Sequence, residues 1–302
     1  MKDLLNYYYY LIVDRINMRG NNYYFLYQNN YFCLYRIFDL SNTQELFNLN
    51  NYMLLNNYKI NRIILNKDGQ IITERGNYFY VLVLLTYNTK KIIDLNNIIT
   101  FNQRLVDFNT YLNRTNWLSL WSTKIDNIEY SIHHLMHQYK LLYNSIHYYI
   151  GLTENAISYL KMINFPNNNI SICHKRVLAN DTIQDFYNPL NLIIDYRIRD
   201  LAEYFKSCFF TGKMDVLDII NSLKKIKMAN SDYVYFYIRM LFPSYYFDLY
   251  DLILLGKVKE EKILTITKYQ NDYEYLLYEI YLVIKSHINI IGIEWINKKF
   301  AI

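Results

Sequence analysis

The stretch from Ile170 to Tyr204, ISICHKRVLANDTIQDFYNPLNLIIDYRIRDLAEY, holds the side chains of this sequence best suited to chemistry. His174 leads a polar loop that follows one apolar strand end and precedes another, Leu192–Ile194, after which comes Asp195. Carboxylates suit a hard cation such as Mg²⁺, and both Asp181 and Asp195 lie in this stretch. The competing reading has Asp195 anchoring the loop and Asp181 in a turn, because a metal site needs geometry that spacing alone does not establish. His174 reads as a hydrogen-bonded loop histidine. Arg176 lies two positions beyond it, and its guanidinium stays protonated at any working pH, so it cannot serve as a base. Asp200 opens a helical run, where an anion is favoured at the N-terminus, and a structural role is expected for it.

Other chemistries find little support. His133 and His137 are spaced i,i+4, a possible metal-pair spacing, but the glutamate of H-E-x-x-H is missing and no third ligand can be named. No G-x-S-x-G is present. No G-x-G-x-x-G is present either; Gly20, Gly69 and Gly76 stand alone in the first third of the chain. Trp117 and Trp121, also i,i+4, are expected in the core.

The net charge of +5 is mild and its lysines and arginines are dispersed, which argues against a nucleic-acid partner. Cys33, Cys173 and Cys208 lie far apart, fitting neither a disulfide framework nor a zinc site. The N-terminus lacks the marks of a secretory signal, and the longest apolar runs are too short to span a bilayer. A cytoplasmic protein without a transmembrane segment is the expectation. Tyrosine is abundant (35, against 7 glycines and 3 prolines), as is asparagine; both follow from A/T-rich codons and read first as filler.

An α+β architecture is expected, with a small strand-rich lobe at residues 1–87, a hinge at 88–97 and a larger, mostly helical lobe at 98–302. In the first part, Tyr23–Tyr27 and Tyr31–Phe38 are strand-like runs around a turn. Thr43–Asn56 has helical apolar spacing, with Ser41 or Asn42 as cap. Lys59–Leu65, Gln70–Glu74 and Tyr78–Leu85 are further strand candidates separated by the turns Asn66–Gly69 and Arg75–Asn77. Beyond the hinge, helices are expected over Asn102–Asn116, Ser119–Tyr139 and Ser145–Ile163. After the strand–loop–strand segment, more follow over Arg199–Phe209, Met214–Ile226, Asp232–Phe242, Tyr246–Leu255 and Asp272–His287.

The runs ICHKR, LIIDYRIRDLAEY and RMLFPSYYFDLYD, with YIGLTENAI ahead of them, resemble spore-coat-associated kinase-like proteins of the CotS/YutH type, distant relatives of aminoglycoside and choline phosphotransferases. The resemblance covers roughly residues 100–260 and implies a bilobal protein-kinase-like fold. In that broader family an H-G-D loop supplies the Asp that orients the acceptor hydroxyl, an Asn five residues later holds metal, and a later Asp binds Mg²⁺ across the nucleotide phosphates. Carried onto this chain, the His is His174 and the catalytic Asp is replaced by Arg176. Asp181 takes the Asn position, Asp195 the metal-binding Asp, and Asp200 the acid that stabilises the catalytic segment. The strand cation and helix acid that grip ATP would be Arg36 and Glu45, although their separation of nine positions is short and a surface strand arginine is the favoured reading of Arg36. The resemblance implies a degenerate, pseudokinase-like protein tied to the spore coat or its assembly through protein partners, needing no cofactor. The alternative is a divergent Mg-ATP-dependent phosphotransferase acting on a small metabolite or coat protein, with Asp181 or Asp185 moved into the base role. A third option is a scaffold that uses tyrosine-rich helical surfaces.

Overall fold

The computed structural model describes residues 1–107, 110–163 and 168–301. The chain folds into two compact units. The first comprises residues 1–97, 107–113 and 180–194; the second comprises residues 98–106, 114–179 and 195–302.

The first unit is built on an antiparallel sheet in which β1 (Ile16–Arg19), β2 (Asn22–Tyr27), β3 (Asn30–Ile37), β6 (Tyr78–Leu84) and β4 (Arg62–Ile64) are neighbours in that order. The short β5 (Thr73–Arg75) also pairs with β6. Side chains alternate across a strand, and both faces are apolar here. Phe32 and Leu34 of β3 and Tyr80 and Leu82 of β6 join Leu4 and Leu5 of helix α1 (Lys2–Tyr9) in one core. Cys33, Tyr35, Val81 and Val83 form the other, against Phe47 of helix α2 (Thr43–Leu55). The tyrosine run of α1 carries strand propensity, and only packing on the sheet makes it a helix.

The hairpin turns are two residues long. Gly20, at φ 58°, follows β1, and Arg19 pairs with Asn22. Gln28 and Asn29 both adopt positive φ between β2 and β3, the requirement of a type I′ turn. Asparagines do much of the joining in this unit. Buried Asn50 of α2 donates to the Asn61 carbonyl (2.8 Å) and accepts from the Ile63 amide (3.0 Å), which ties the helix to β4. Asn66 accepts from the amides of Asp68 and Gln70 and so shapes the turn that places Gly69 at φ 72°.

The second unit is mostly helical. It holds α4 (Trp117–Gln138) packed on α5 (Lys140–Met162), then α7 (Arg199–Phe210), α8 (Val216–Lys225) and α9 (Asn230–Leu241). α10 (Ser244–Leu254), the short α11 (Leu264–Thr267), α12 (Gln270–Lys285) and α13 (Glu294–Phe300) complete it. Strand β7 (Ile170–His174) pairs with β8 (Leu192–Tyr196), whose last two residues belong to this unit. The helix expected over Asn102–Asn116 is not formed. Helix α3 instead runs Leu95–Asn102, and the chain beyond leaves helical geometry where Leu105 bridges to Ser171; residues 108 and 109 lie outside the described residues. Among the described residues no helix is long and apolar enough to cross a membrane.

Helix α7 decides how the second unit is held together. Arg199, Asp200, Glu203 and Lys206 are all buried, although charged residues on a helix ordinarily face water. Each has a charged or hydrogen-bonding partner, as burial of a charge demands. Lys206 Nζ reaches Glu203 (2.8 Å), Ser244 (2.7 Å) and the carbonyls of Arg239 and Phe242, while Arg239 Nε donates to Glu203 at 2.7 Å. Burial pulls the Lys206 ammonium down to about 7 against the pull of Glu203. Burial alone would raise the Glu203 carboxyl, but Lys206 and Arg239 outweigh it and hold it well below its usual range.

Candidate functional site

The loop that follows β7 is clamped from beneath by α7. Asp200 accepts from the His174 amide (3.0 Å), lies 2.7 Å from His174 Nδ1, and accepts from Asn102 Nδ2 (3.2 Å). The His174 and Asp200 side chains have no exposed surface, and the imidazole packs on Phe101 with ring centroids 4.5 Å apart. Asp200 thereby fixes both the backbone and the ring of the loop histidine.

Asp195 is enclosed as tightly. Its Oδ1 accepts from Trp117 Nε1 (2.9 Å) and from the Tyr196 amide (2.8 Å), and its Oδ2 accepts from Arg199 Nη1 (3.0 Å). The residue is 0 % exposed. The same guanidinium donates from Nε to the His174 carbonyl (3.2 Å) and from Nη2 to the Lys175 carbonyl (3.1 Å). One arginine therefore joins the carboxylate at the end of β8 to the backbone of the loop after β7. Burial raises the Asp195 carboxyl to about 6, against the attraction of Arg199 and Arg239. The indole of Trp117 stacks on Trp121 (5.0 Å), and the Arg239 guanidinium lies 5.3 Å from the Trp117 ring, so this cluster abuts the Glu203–Lys206 network.

Arg176 forms an ion pair with Asp248 of α10 and donates to the Lys175 carbonyl (2.8 Å). A base at this position would need a lone pair to receive a proton, and the guanidinium has none to offer.

The remaining sequence candidates are dispersed. Asp181 belongs to the first unit, where its carbonyl accepts from the Ile93 amide (3.0 Å); Asp195 belongs to the second. Asp185 is engaged in a capping box with Thr182 at the start of α6 (Ile183–Phe186), its carboxylate 2.6 Å from the Thr182 hydroxyl. Arg36 and Glu45 form no ion pair among the described residues. Arg36 stacks over the rings of Tyr78 (3.7 Å) and Phe38 (4.9 Å), whereas Glu45 bonds the Thr110 hydroxyl. Strand alternation explains the separation: Cys33 and Tyr35 face α2, which puts Arg36 on the opposite face. His133, His134 and His137 are exposed on α4. Among the described residues no three His, Cys, Asp or Glu side chains converge as a cation site.

A phosphotransferase would hold Mg²⁺ through an Asp at the Asp195 position. The side chains here do not fit that ion. Both Asp195 oxygens are already bonded to protein donors, and the positive charge beside them is Arg199. Sequence reasoning singled out His174, Arg176, Asp195 and Asp200 but not Trp117, Arg199, Asn102 or Asp248, which hold them. The only local signal was the four-residue spacing of Asp195 and Arg199, and it spans a strand end and a turn rather than a helix.

A family model described as "Spore coat putative kinase YutH" matches residues 2–280. The chain belongs to the YutH family. The match extends well beyond residues 100–260, where the motifs lie, and takes in the sheet unit as well. The endospore coat-associated protein YutH of Bacillus subtilis is 26% identical over 163 residues, 48% of this chain and 48% of that protein, so the aligned stretch spans about half of the relative. Among solved structures, an aminoglycoside phosphotransferase from Alicyclobacillus acidocaldarius aligns with a TM-score of 0.56 at 11% identity, covering 91% of this chain and 93% of the other. A spectinomycin phosphotransferase, solved with ADP and spectinomycin, aligns at 0.53 and 9% identity, covering 93% and 96%. At these identities the structural likeness establishes the kinase-like α+β fold, with its N-terminal antiparallel sheet and larger helical part.

Proposed function

We propose that this YutH-family chain is a catalytically silent kinase-fold protein that serves the spore coat or its assembly by binding other molecules. The observation that carries this reading is the commitment of the Asp195 carboxylate to Trp117, Tyr196 and Arg199 in a fully buried position. Phosphoryl transfer depends on metal ions that neutralise charge and on a carboxylate that receives the acceptor proton. Here the metal-binding Asp is bonded to an arginine, and Arg176 occupies the position of the base. The two-residue turn at Gly20 also gives the β1–β2 hairpin no glycine-rich span to cover phosphates. The coat assignment leans on the name of the Bacillus subtilis relative.

One observation favours a second reading, a divergent Mg-ATP-dependent phosphotransferase. The first unit has a cavity of about 630 Å³ lined by Arg15, Arg19 and Lys90 beside Tyr24 and Tyr31, a basic and aromatic lining that suits a nucleotide. Incubation with γ-labelled ATP and Mg²⁺, alone and with coat extract, separates the two readings. The silent protein gives no label transfer above that of an Asp195→Asn variant. Robust transfer that the variant loses establishes the enzyme and ends the silent reading.

A further inference from the structure

The second unit has a cleft of about 640 Å³ that opens next to Arg176, within the size range of small-molecule sites. Its walls are chiefly apolar. Leu178, from the loop after β7, and Leu252, from α10, are 43% and 37% exposed, and Phe210, Leu249 and Ile266 line the rest. Two exposed leucines facing one concavity leave apolar surface in water that an occupant of like polarity would cover.

The polar groups in the cleft are spoken for. Arg176 is paired with Asp248, and Asp251 is paired with Lys124 at 3.0 Å. The Tyr245 hydroxyl bonds Ser207 Oγ at 2.8 Å, and its ring stacks on Phe210. Thr265 donates to the Lys262 carbonyl at 2.7 Å, which leaves its oxygen as an acceptor. Burial raises the Asp248 carboxyl against the attraction of Arg176. Both pairs are partly exposed and individually weak, but a charged ligand finds, among the described residues, no unpaired group of opposite sign in the cleft, whereas an uncharged one leaves both pairs undisturbed.

We propose that this cleft is a binding site for a small, uncharged and largely apolar molecule. The site gives a ligand to the binding role proposed above; it rests on that reading for its purpose but not for its geometry. Apolar contact with Leu178, Phe210, Leu249, Leu252 and Ile266 supplies the affinity, and the Thr265 oxygen accepts at most one hydrogen bond from the ligand. An aromatic or branched aliphatic skeleton fits this description, and a polyol, an aminoglycoside or a phosphate ester does not.

The test uses two fluorescent probes that share a ring system and differ in charge, titrated into the full chain. Neutral N-phenyl-1-naphthylamine is expected to bind saturably at one site. Anionic 8-anilinonaphthalene-1-sulfonate is expected to bind about threefold more weakly, because its sulfonate must compete with Asp248 for Arg176 or remain unpaired beside apolar walls. Leu252→Glu, at a partly exposed position that tolerates a polar side chain, should weaken the neutral probe at least about tenfold, and Leu178→Gln should weaken it less. Circular dichroism of each variant confirms that the fold is kept, and the second variant carries the test if the first unfolds. Absence of saturable binding overturns the proposal, as does binding that neither variant alters. Tighter binding of the sulfonate also overturns it, because that would make Arg176 an ionic anchor. None of these outcomes depends on label transfer from ATP, so the cleft and the silent-kinase reading fail separately.

Discussion

Replacing Arg199 with alanine is expected to cost about 3–5 kcal/mol of folding stability, the range for a buried ion pair that loses one partner. The substitution strands the Asp195 carboxylate without its cation and frees the carbonyls of His174 and Lys175 that the guanidinium satisfies. Urea denaturation followed by tryptophan fluorescence reads the effect directly, because Trp117, Trp121 and Trp295 all lie in the second unit. The deficit also has a predicted pH dependence. The Asp195 carboxyl already stands near 6 in the folded chain, above its ordinary 3.8, and loss of Arg199 raises it further. A carboxyl with a raised folded value takes up a proton in the folded state first, so stability rises as the pH falls through that value. The cost of Arg199→Ala should therefore shrink between pH 7.5 and pH 5. A deficit that stays constant or grows on acidification would mean that Asp195 does not depend on Arg199 as described. Pairing Arg199→Met with Asp195→Asn should recover part of the loss, since no buried charge is then left alone.

Glu203→Gln should be comparably damaging, again about 3–5 kcal/mol, for the opposite reason. Glu203 is the anion that faces both Lys206 and Arg239, and without it two buried cations stand against each other. Lys206 keeps its other acceptors, the carbonyls of Arg239 and Phe242 and the Ser244 hydroxyl, so it can remain in place as a neutral amine. Burial already holds it near 7, below the ordinary 10.5, and the variant lowers it further. A lysine with a depressed folded value binds its proton more readily when unfolded, so stability rises with pH between the folded and unfolded values. The unfolded chain is common to both proteins, so the Glu203→Gln deficit should ease as the pH rises toward and through the folded Lys206 value near 7, which denaturation at pH 5.5 and pH 8 would show. A deficit insensitive to pH would place the cost elsewhere than in Lys206.

These two networks mark where the sequence was legible and where it was not. Runs of β-favouring apolar residues and the turns between them located β2, β3 and β6 to within a residue or so, because both faces of that sheet are apolar and its turns carry Gly, Asn and Gln at positive φ. Periodicity likewise located α2, α4 and α5. It failed at residues 103–107 and 110–116, where helical spacing was overridden by bridges to Ser171 and Ile194, and it drew no element over the tyrosine-rich α1. The family motifs drew attention to His174, Asp195 and Asp200, yet nothing local indicated that Trp117 donates to Asp195 from 78 positions away or that Arg176 meets Asp248 from 72. Such pairings are products of packing, and only the folded chain displays them. Helix α7 taught the same lesson: RDLAEYFK has the charge density of a solvated helix but lies buried, because each of its charges finds its partner on another element or one turn along.

The Asp195 carboxylate, bonded to Trp117, Tyr196 and Arg199, is expected not to ligate a divalent cation. Titration of the purified chain with Mn²⁺, read by the loss of the free-ion paramagnetic resonance signal, tests it most directly beside an Asp195→Asn variant. The two proteins should give superimposable titrations into the millimolar range. A Mn²⁺ site present in the unaltered chain and lost on Asp195→Asn would contradict it and bring the phosphotransferase reading to the front.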